Sequence, residues 1–192
     1  MLGRFRERYQ RILLPIGKIF AILSITPNML TLLSLLSSIA ALFKFKENNI
    51  LAGVFFILMT GLFDIADGTT ARYLKSETRF GSVLDHVTDR YAEFFIIVGI
   101  VSGGYVSWFW GFFALFGMIM ASYTRAKAES TGGLKSCTVG IAERQEKFIL
   151  IIIGALGELY YENALLYMII FVAIISHITV IQRLLFTRRM ID

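Results

Sequence analysis

The chain has 192 residues, of which 56% are hydrophobic and only 17% are charged, whereas about a quarter of the residues of a soluble domain carry charge. This composition indicates a protein embedded in lipid, and the net charge of +5 does not indicate nucleic-acid binding, because the basic residues flank apolar stretches. Cys137 is the only cysteine, which excludes an intramolecular disulfide and a metal site built from cysteines.

The N-terminal segment combines basic and apolar residues at helical spacing. These residues are Arg4, Arg6, Arg8, Arg11, Lys18, Ile12, Ile16, Ile19, Phe20 and Leu23. Such a pattern is typical of an amphipathic helix that lies in the membrane interface. A cleaved signal peptide is the alternative, but Pro15 and Lys18 interrupt its apolar core, and no small-residue cleavage site follows clearly. We therefore predict an interfacial helix over residues 1–25.

Apolar stretches of membrane-spanning length follow this segment. They lie near residues 28–45, 50–73, 82–104, 107–128, 141–159 and 162–185. The predicted fold is an all-α integral membrane protein with six transmembrane helices, which form a bundle over residues 26–192. Since the sequence contains no long linker and no internal repeat, we predict one domain over residues 1–192.

The distribution of basic residues predicts the orientation of the chain. With the N-terminus inside, 17 of the 19 Lys and Arg residues lie in cytoplasmic segments, and only Lys44 and Lys46 lie outside. The positive-inside rule therefore predicts a multi-pass protein of the cell membrane with both termini in the cytoplasm.

Two neighbouring spans carry four aspartates near their cytoplasmic ends. Asp64 and Asp67 are three residues apart and Asp85 and Asp89 are four apart, so each pair shares one face of its helix. Four ionised carboxylates that meet in a low-dielectric surround are prohibitively costly without cations. Ligands that are all oxygen favour Mg²⁺ or Mn²⁺ over Zn²⁺, and two ions bridged by shared aspartates suit phosphoryl chemistry.

Structural ion pairs are the alternative explanation for these acids. Their basic partners would be Arg72, Arg79 and Arg90. Two glycines favour a ligand site, since Gly68 follows Asp67 directly, Gly81 opens the next helix, and glycine lets a ligand approach the backbone. A cation transporter with an acidic ion path is a further alternative, but such a path does not require these glycines at fixed offsets.

The aspartates and glycines form a recognisable motif. The sequence Asp64-x-x-Asp67-Gly68-x-x-Ala71-Arg72, followed by Gly81-x-x-x-Asp85-x-x-x-Asp89, resembles the signature of the CDP-alcohol phosphotransferase family at all eight fixed positions. This resemblance implies a homodimer with six transmembrane helices and an N-terminal interfacial helix. It also implies transfer of a phosphatidyl-type group from a CDP-linked lipid to an alcohol, with release of CMP.

The resemblance implies a role for each matching residue. Asp64, Asp67 and Asp85 would be ligands of two Mg²⁺ ions, for which Mn²⁺ is a possible substitute. Asp89 would be both a ligand and the general base that takes the proton from the acceptor hydroxyl. The implied contacts to the CDP-linked lipid are Asn28, Thr31, Gly68, Arg72, Thr78 and Gly81. Asn28 also lies in Thr26-Pro27-Asn28, which has the composition of an ordinary helix start. The active site is expected on the cytoplasmic side.

A basic cluster lies at the cytoplasmic ends of spans four and five. Its members are Arg125, Lys127, Arg144 and Lys147, and together with Ser122, three residues before Arg125, they would form a cradle for a phosphate. Cations that extend towards lipid headgroups are the alternative. The stretches SYTRAKAE and GIAERQEK resemble the phosphatidylinositol phosphate synthases of the family, whose acceptor is inositol 1-phosphate. Arg125, Lys127 and Lys147 exchange Lys and Arg relative to that pattern, which conserves charge but not bidentate geometry.

The predicted function is transfer of a phosphatidyl-type group from a CDP-linked lipid to inositol 1-phosphate. The lipid tails stay open, because archaetidylinositol phosphate synthases, which use an ether lipid, share the same pattern. Glycerol 3-phosphate and serine remain alternative acceptors, although serine carries no phosphate for the cradle. The predicted partners are the two substrates, membrane lipids and a second copy of the chain, with no nucleic acid.

Overall fold

The computed structural model describes the backbone of residues 6–191 and the side chains of residues 13–191. Within residues 6–191, all regular secondary structure is helical, which confirms the all-α prediction. The helices are α1 (Arg6–Ile22), α2 (Pro27–Lys46), α3 (Ile50–Tyr73), α4 (Arg79–Ser102), α5 (Trp108–Ser130), α6 (Arg144–Glu158) and α7 (Ala164–Ile191). The first five residues of the predicted interfacial helix, Arg4 among them, lie outside the described residues, as do the side chains of Arg6, Arg8, Arg11 and Ile12. The location of α1 in the membrane interface stays a prediction.

In the described part of the chain, three helices are long and apolar enough to cross a membrane, namely α2, α3 and α7. Large apolar side chains on them, such as Leu32, Leu36 and Leu58, are more than half exposed, as expected for a surface that contacts lipid tails. These features support a membrane protein. The helices α4 and α5 have 24 and 23 residues, but α6 has only 15 residues, or about 22 Å at 1.5 Å per residue. The count of six crossings therefore stays a prediction.

The start of α6 differs from the sequence prediction. The apolar stretch was predicted from residue 141, whereas the helix begins at Arg144. Gly140 has a φ of +150°, which strains other residues, and the backbone N–H of Glu143 donates to Glu146 Oε2 at 2.8 Å. This capping contact begins the helix after Ile141 and Ala142, although both residues are apolar.

The chain divides into two compact units, one up to Gly99 and one from Ile100 onward. In the first unit, α3 packs against both α1 and α2, and the Gly99 backbone of α4 lies against Leu42 of α2. In the second unit, α7 packs against α5 and α6. Because α4 runs from one unit into the other, the division does not coincide with a linker. One domain over residues 1–192 stays a prediction.

Small polar residues on α2 determine how α3 packs against it. Leu30, Ser34, Ser38 and Ala41 recur at a spacing of three or four residues and are all buried. Ser34 Oγ donates to the carbonyl oxygen of Thr60 on α3 at 3.0 Å. Small side chains allow helix backbones to approach closely in a membrane, and a hydrogen bond between helices fixes their register. This register positions the aspartate-bearing end of α3.

Candidate active site

The carboxylates of Asp64, Asp85 and Asp89 converge in the structure. One oxygen atom from each lies within 4.8 Å of the other two, and all three side chains are partly buried. Asp64 is on α3 and the other two residues are one turn apart on α4. Like charges this close repel one another strongly away from bulk water, so the arrangement fits a divalent cation held by oxygen ligands. These residues of the predicted metal site are therefore brought together, and their role as ligands stays a prediction.

The fourth aspartate of the motif has a different environment. Asp67 is only 6% exposed, and its Oδ2 accepts a hydrogen bond of 2.6 Å from Thr31 Oγ1 on α2. The structure thus shows Thr31 in contact with a predicted metal ligand, and its predicted contact to the CDP-linked lipid stays a prediction. Hydrogen bonds of this kind orient metal-binding carboxylates and set their affinity for the ion.

We expect Thr31→Val to raise the Mg²⁺ concentration needed for half-maximal activity by about 10- to 100-fold, because valine keeps the shape of threonine but cannot donate to Asp67. Thr31→Ser should stay close to the parent, since it retains the hydroxyl. Titration of Mg²⁺ while CMP release is followed would measure both values. Equal Mg²⁺ dependence in the two variants would contradict this role for Thr31.

One of the structural ion pairs that were the alternative explanation for the aspartates is present on α4. Arg90 Nη2 lies 2.9 Å from Glu93 Oε1 and 3.7 Å from Asp89 Oδ2. Glu93 is 1% exposed, and its ion pair with Arg90 is shorter than the contact of Arg90 with Asp89. Sequence reasoning left Glu93 unassigned, although an acid one turn after Asp89 in an apolar span was a usable signal.

Three predicted contacts to the CDP-linked lipid meet at the N-terminal end of α4. Thr78 Oγ1 accepts a hydrogen bond of 3.0 Å from the Gly81 backbone N–H, so Thr78 is the N-cap of α4. A Cβ on Gly81 would lie 2.9 Å from Thr78 Oγ1 and 3.7 Å from Asn28 Oδ1. Asn28 belongs to the first turn of α2, which begins at Pro27 with Thr26 as its N-cap. A helix N-terminus with polar neighbours suits an anionic phosphate.

The remaining pair of predicted lipid contacts lies on α3. A Cβ on Gly68 would be 3.4 Å from Arg72 Nη1, so the guanidinium extends back over the glycine. Gly68 follows the buried Asp67 directly, and Arg72 is exposed. Arg72 thus places a cation beside the carboxylate site, and Gly68 leaves the backbone there open to a ligand. This arrangement suits the binding of a diphosphate.

The predicted acceptor residues lie in the second unit and differ in their surroundings. Lys147 is 4% exposed, which does not fit a side chain that extends to the lipid headgroups. Lys127 is exposed, and its Nζ lies 5.9 Å from the centre of the Tyr123 ring, which does fit an anchoring role.

The guanidinium of Arg144 lies 4.9 Å from the centre of the Phe148 ring. Ser122 is partly buried on α5 and donates to the Met118 carbonyl oxygen at 3.4 Å. Convergence of this set on one phosphate stays a prediction.

Glu129 connects α5 with the segment that leads to α6. Its Oε1 accepts hydrogen bonds of 3.0 Å from Arg125 Nε and 2.9 Å from the Cys137 backbone N–H. Burial alone would raise the pKa of the Glu129 carboxyl, but these two hydrogen bonds, together with the positive charges of Arg125 and Arg183, hold the pKa below its usual value. Glu129 ends the SYTRAKAE stretch, yet sequence reasoning gave it no role.

Arg183 on α7 is a second residue that sequence reasoning missed. It is 5% exposed, and it donates from Nε to the Val139 carbonyl oxygen at 2.9 Å and from Nη1 to the Ala121 carbonyl oxygen at 2.5 Å. It therefore holds α5 and the α5–α6 segment against α7. In the sequence it counted only as one of the cytoplasmic basic residues, because such residues usually lie at the membrane surface.

A comparison with models of protein families identifies the family of this chain. Residues 24–181 match the family model described as CDP-alcohol phosphatidyltransferase, which covers more than half of the chain. The chain belongs to the CDP-alcohol phosphatidyltransferase family. It is therefore a transferase of phospholipid biosynthesis, and the predicted family, enzyme class and membrane association are confirmed.

Named relatives are similar over nearly the whole chain. The archaetidylinositol phosphate synthase of Pyrococcus horikoshii is 41% identical over 185 residues, which cover 95% of this chain and 94% of the relative. The fold is also similar to the crystal structure of the Mycobacterium tuberculosis phosphatidylinositol phosphate synthase with CDP-DAG bound, with a TM-score of 0.81 over 92% of this chain and 94% of that chain. The sequences of the two proteins are 29% identical. The same enzyme in complex with manganese and citrate has a TM-score of 0.82 at 28% identity, over 92% of this chain and 88% of that chain.

Proposed function

We propose that the protein transfers a phosphatidyl-type group from a CDP-linked lipid to inositol 1-phosphate and releases CMP. The observation that carries the proposal is the convergence of the Asp64, Asp85 and Asp89 carboxylates on two helices of a family member. The predicted reaction agrees with the names of the relatives. Since one relative is an archaetidyl enzyme and the other a phosphatidyl enzyme, the proposal includes ether and diacyl lipids.

The donor set of the proposed metal site fits Mg²⁺, with Mn²⁺ as a substitute. Asp64, Asp67, Asp85 and Asp89 would hold two ions, and all the ligands that these side chains offer are oxygen atoms. When bound, the ions neutralise charge on the diphosphate of the lipid substrate. Support for divalent binding comes from the carboxylate geometry and from the manganese complex of the similar enzyme.

The remaining steps belong to side chains and backbone of the chain itself. Arg72 and the open backbone at Gly68 would bind the diphosphate, while Asn28, Thr31, Thr78 and Gly81 would contact the rest of the CDP group; the proximity of Arg72 to Gly68 and of Thr78 and Asn28 to Gly81 supports these roles. A carboxylate oxygen of Asp89 takes the proton from the acceptor hydroxyl. The hydroxyl oxygen then forms a bond to the lipid-side phosphorus, the bond from that phosphorus to the bridging oxygen breaks, and CMP leaves with the bridging oxygen.

The acceptor assignment rests on four cations and one serine of the second unit. Ser122, Arg125, Lys127, Arg144 and Lys147 would hold the phosphate of inositol 1-phosphate. The burial of Lys147 fits this assignment better than it fits a membrane anchor, because an anchoring lysine extends its ammonium to the lipid headgroups. The exposure of Lys127 favours a membrane contact, which makes it the weakest member of the set.

The finer architecture is also part of the proposal. We propose six crossings in one domain, with both termini and the active site on the cytoplasmic side and with two copies forming a homodimer. The basic residues support the orientation, since only Lys44 and Lys46 fall outside the cytoplasmic segments. The lengths of α4 and α5, at 24 and 23 residues, also suffice to cross a bilayer.

We expect Arg144→Ala to raise the Michaelis constant for inositol 1-phosphate by about 10- to 150-fold, because loss of a charge-assisted hydrogen bond costs about 1.5–3 kcal/mol. The Michaelis constant for the CDP-linked lipid should stay unchanged. Initial rates of CMP release at varied concentrations of each substrate would measure both constants.

Lys135→Ala is the matched control for Arg144→Ala, since Lys135 is an exposed cation in the α5–α6 segment outside the proposed set. It should leave both Michaelis constants unchanged. If Arg144→Ala lowers only the yield of folded protein and keeps the acceptor constant of the parent, Arg144 is a membrane anchor and the acceptor assignment is wrong.

A further inference from the structure

The helix α1 lies against the backbone of α3 at Gly17. Gly17 is buried, and a Cβ at this position would lie 2.6 Å from the carbonyl carbon and oxygen of Thr69 and 2.8 Å from the Thr70 nitrogen. Contacts this short do not occur between real Cβ atoms and backbone. The atoms in the way cannot rotate aside, because they belong to the main chain of a helix whose Thr69 and Thr70 are fully buried. Any side chain at Gly17 therefore has to displace one of the two helices.

This contact lies on α3 immediately after the aspartates of the motif. Thr69 and Thr70 follow Asp67 and Gly68 in the sequence. Almost one turn along α1, the Phe20 ring meets Phe63 edge-on, with ring centres 6.4 Å apart.

The Phe20–Phe63 contact and the Gly17–Thr69 contact therefore lie on either side of the turn of α3 that carries the aspartates. Phe63 immediately precedes Asp64, and Thr69 follows Asp67 by two residues. Displacement of α1 at either contact moves the segment between them, since close-packed helices transmit displacement to their neighbours.

We infer that Gly17 is a positioning residue, which lets α1 hold the Asp64–Asp67 turn of α3 in the geometry that binds the metal. The inference rests on the proposed metal site. Moving the Cβ from 2.6 Å to ordinary van der Waals contact at 3.4 Å requires a shift of about 0.8 Å, which exceeds the roughly 0.5 Å within which the ligands of a working site are held. The segment that the sequence assigns to the membrane surface thus supports the active site from behind.

Mn²⁺ binding by the purified full-length protein, without substrates, tests this role. Isothermal titration or the electron paramagnetic resonance signal of free Mn²⁺ would give the affinity. We expect Gly17→Ala to weaken binding several-fold and Gly17→Val by about 10- to 100-fold, as found when support for metal ligands is removed. Ile19→Ala is the matched control, because Ile19 is 57% exposed on α1, and it should bind Mn²⁺ as the parent does.

An ordinary packing role would lower the melting temperature of the Gly17 variants but leave the Mn²⁺ affinity of the folded protein unchanged. Folded Gly17→Val with parental Mn²⁺ affinity would overturn the inference. If Gly17→Val does not fold, Phe20→Ala tests the other contact of α1, where weakened binding supports the inference and parental binding overturns it. If Asp64→Asn binds Mn²⁺ as tightly as the parent, the proposed metal site is wrong and the role of Gly17 is wrong with it.

Discussion

Asp85→Asn is expected to lower the rate of CMP release by about 100-fold or more, even at saturating concentrations of both substrates. The carboxylate oxygen of Asp85 lies within 4.8 Å of oxygens from Asp64 and Asp89, and a neutral amide cannot replace its charge in a divalent site. Chelation of divalent ions should have the same effect on the parent. Glu77→Gln is the control, because it neutralises an exposed acid in the connection between α3 and α4.

The stability of the Asp85→Asn variant separates loss of metal binding from misfolding. Without divalent ions, the variant should melt at or above the temperature of the parent, because one of three mutually repelling carboxylates is removed. Addition of Mg²⁺ should raise the melting temperature of the parent and have little effect on the variant. If Asp85→Asn has the activity of the parent at low millimolar Mg²⁺, the proposed metal site is wrong.

Asp89→Asn is expected to lower kcat by about 10²- to 10⁴-fold, the usual contribution of a general base. Binding of the CDP-linked lipid should weaken much less, since proton transfer develops mainly in the transition state. The measurements are the rate of CMP release and the dissociation constant of the CDP-linked lipid in the same preparation.

Asp64→Asn serves as the comparison for Asp89→Asn, because Asp64 is proposed as a metal ligand without a role in proton transfer. In that variant, rate and substrate binding should fall together. If Asp89→Asn shows the same proportional loss in both quantities, then Asp89 is a metal ligand only. An unchanged rate would remove Asp89 from the mechanism.

The sequence was a good guide to the helices and to the face on which the aspartates lie. Apolar length predicts the helical stretches, and Thr26-Pro27 predicts the start of α2 through its capping geometry. The spacing of four residues predicts that Asp85 and Asp89 share one face, which the cluster with Asp64 confirms. All of these features follow from the local periodicity of a helix.

Contacts that depend on the packing of distant helices were not predictable from the sequence. The Thr31–Asp67 hydrogen bond requires the register between α2 and α3, which buried small residues determine. Likewise, Gly17 in an amphipathic pattern gives no sign of its contact with Thr69. The burial of Lys147 was also unpredictable, because charged residues usually lie at the surface and periodicity alone does not separate an anchor from a buried ligand.

The most direct test of the proposed function is the acceptor dependence of CMP release by the purified protein. Diacyl and ether forms of the CDP-linked lipid would each be combined with Mg²⁺ and one acceptor: inositol 1-phosphate, inositol, glycerol 3-phosphate or serine. We predict rapid CMP release with inositol 1-phosphate for at least one of the two lipids, and poor release with the other three acceptors. Faster release with unphosphorylated inositol, serine or glycerol 3-phosphate than with inositol 1-phosphate would contradict the proposal.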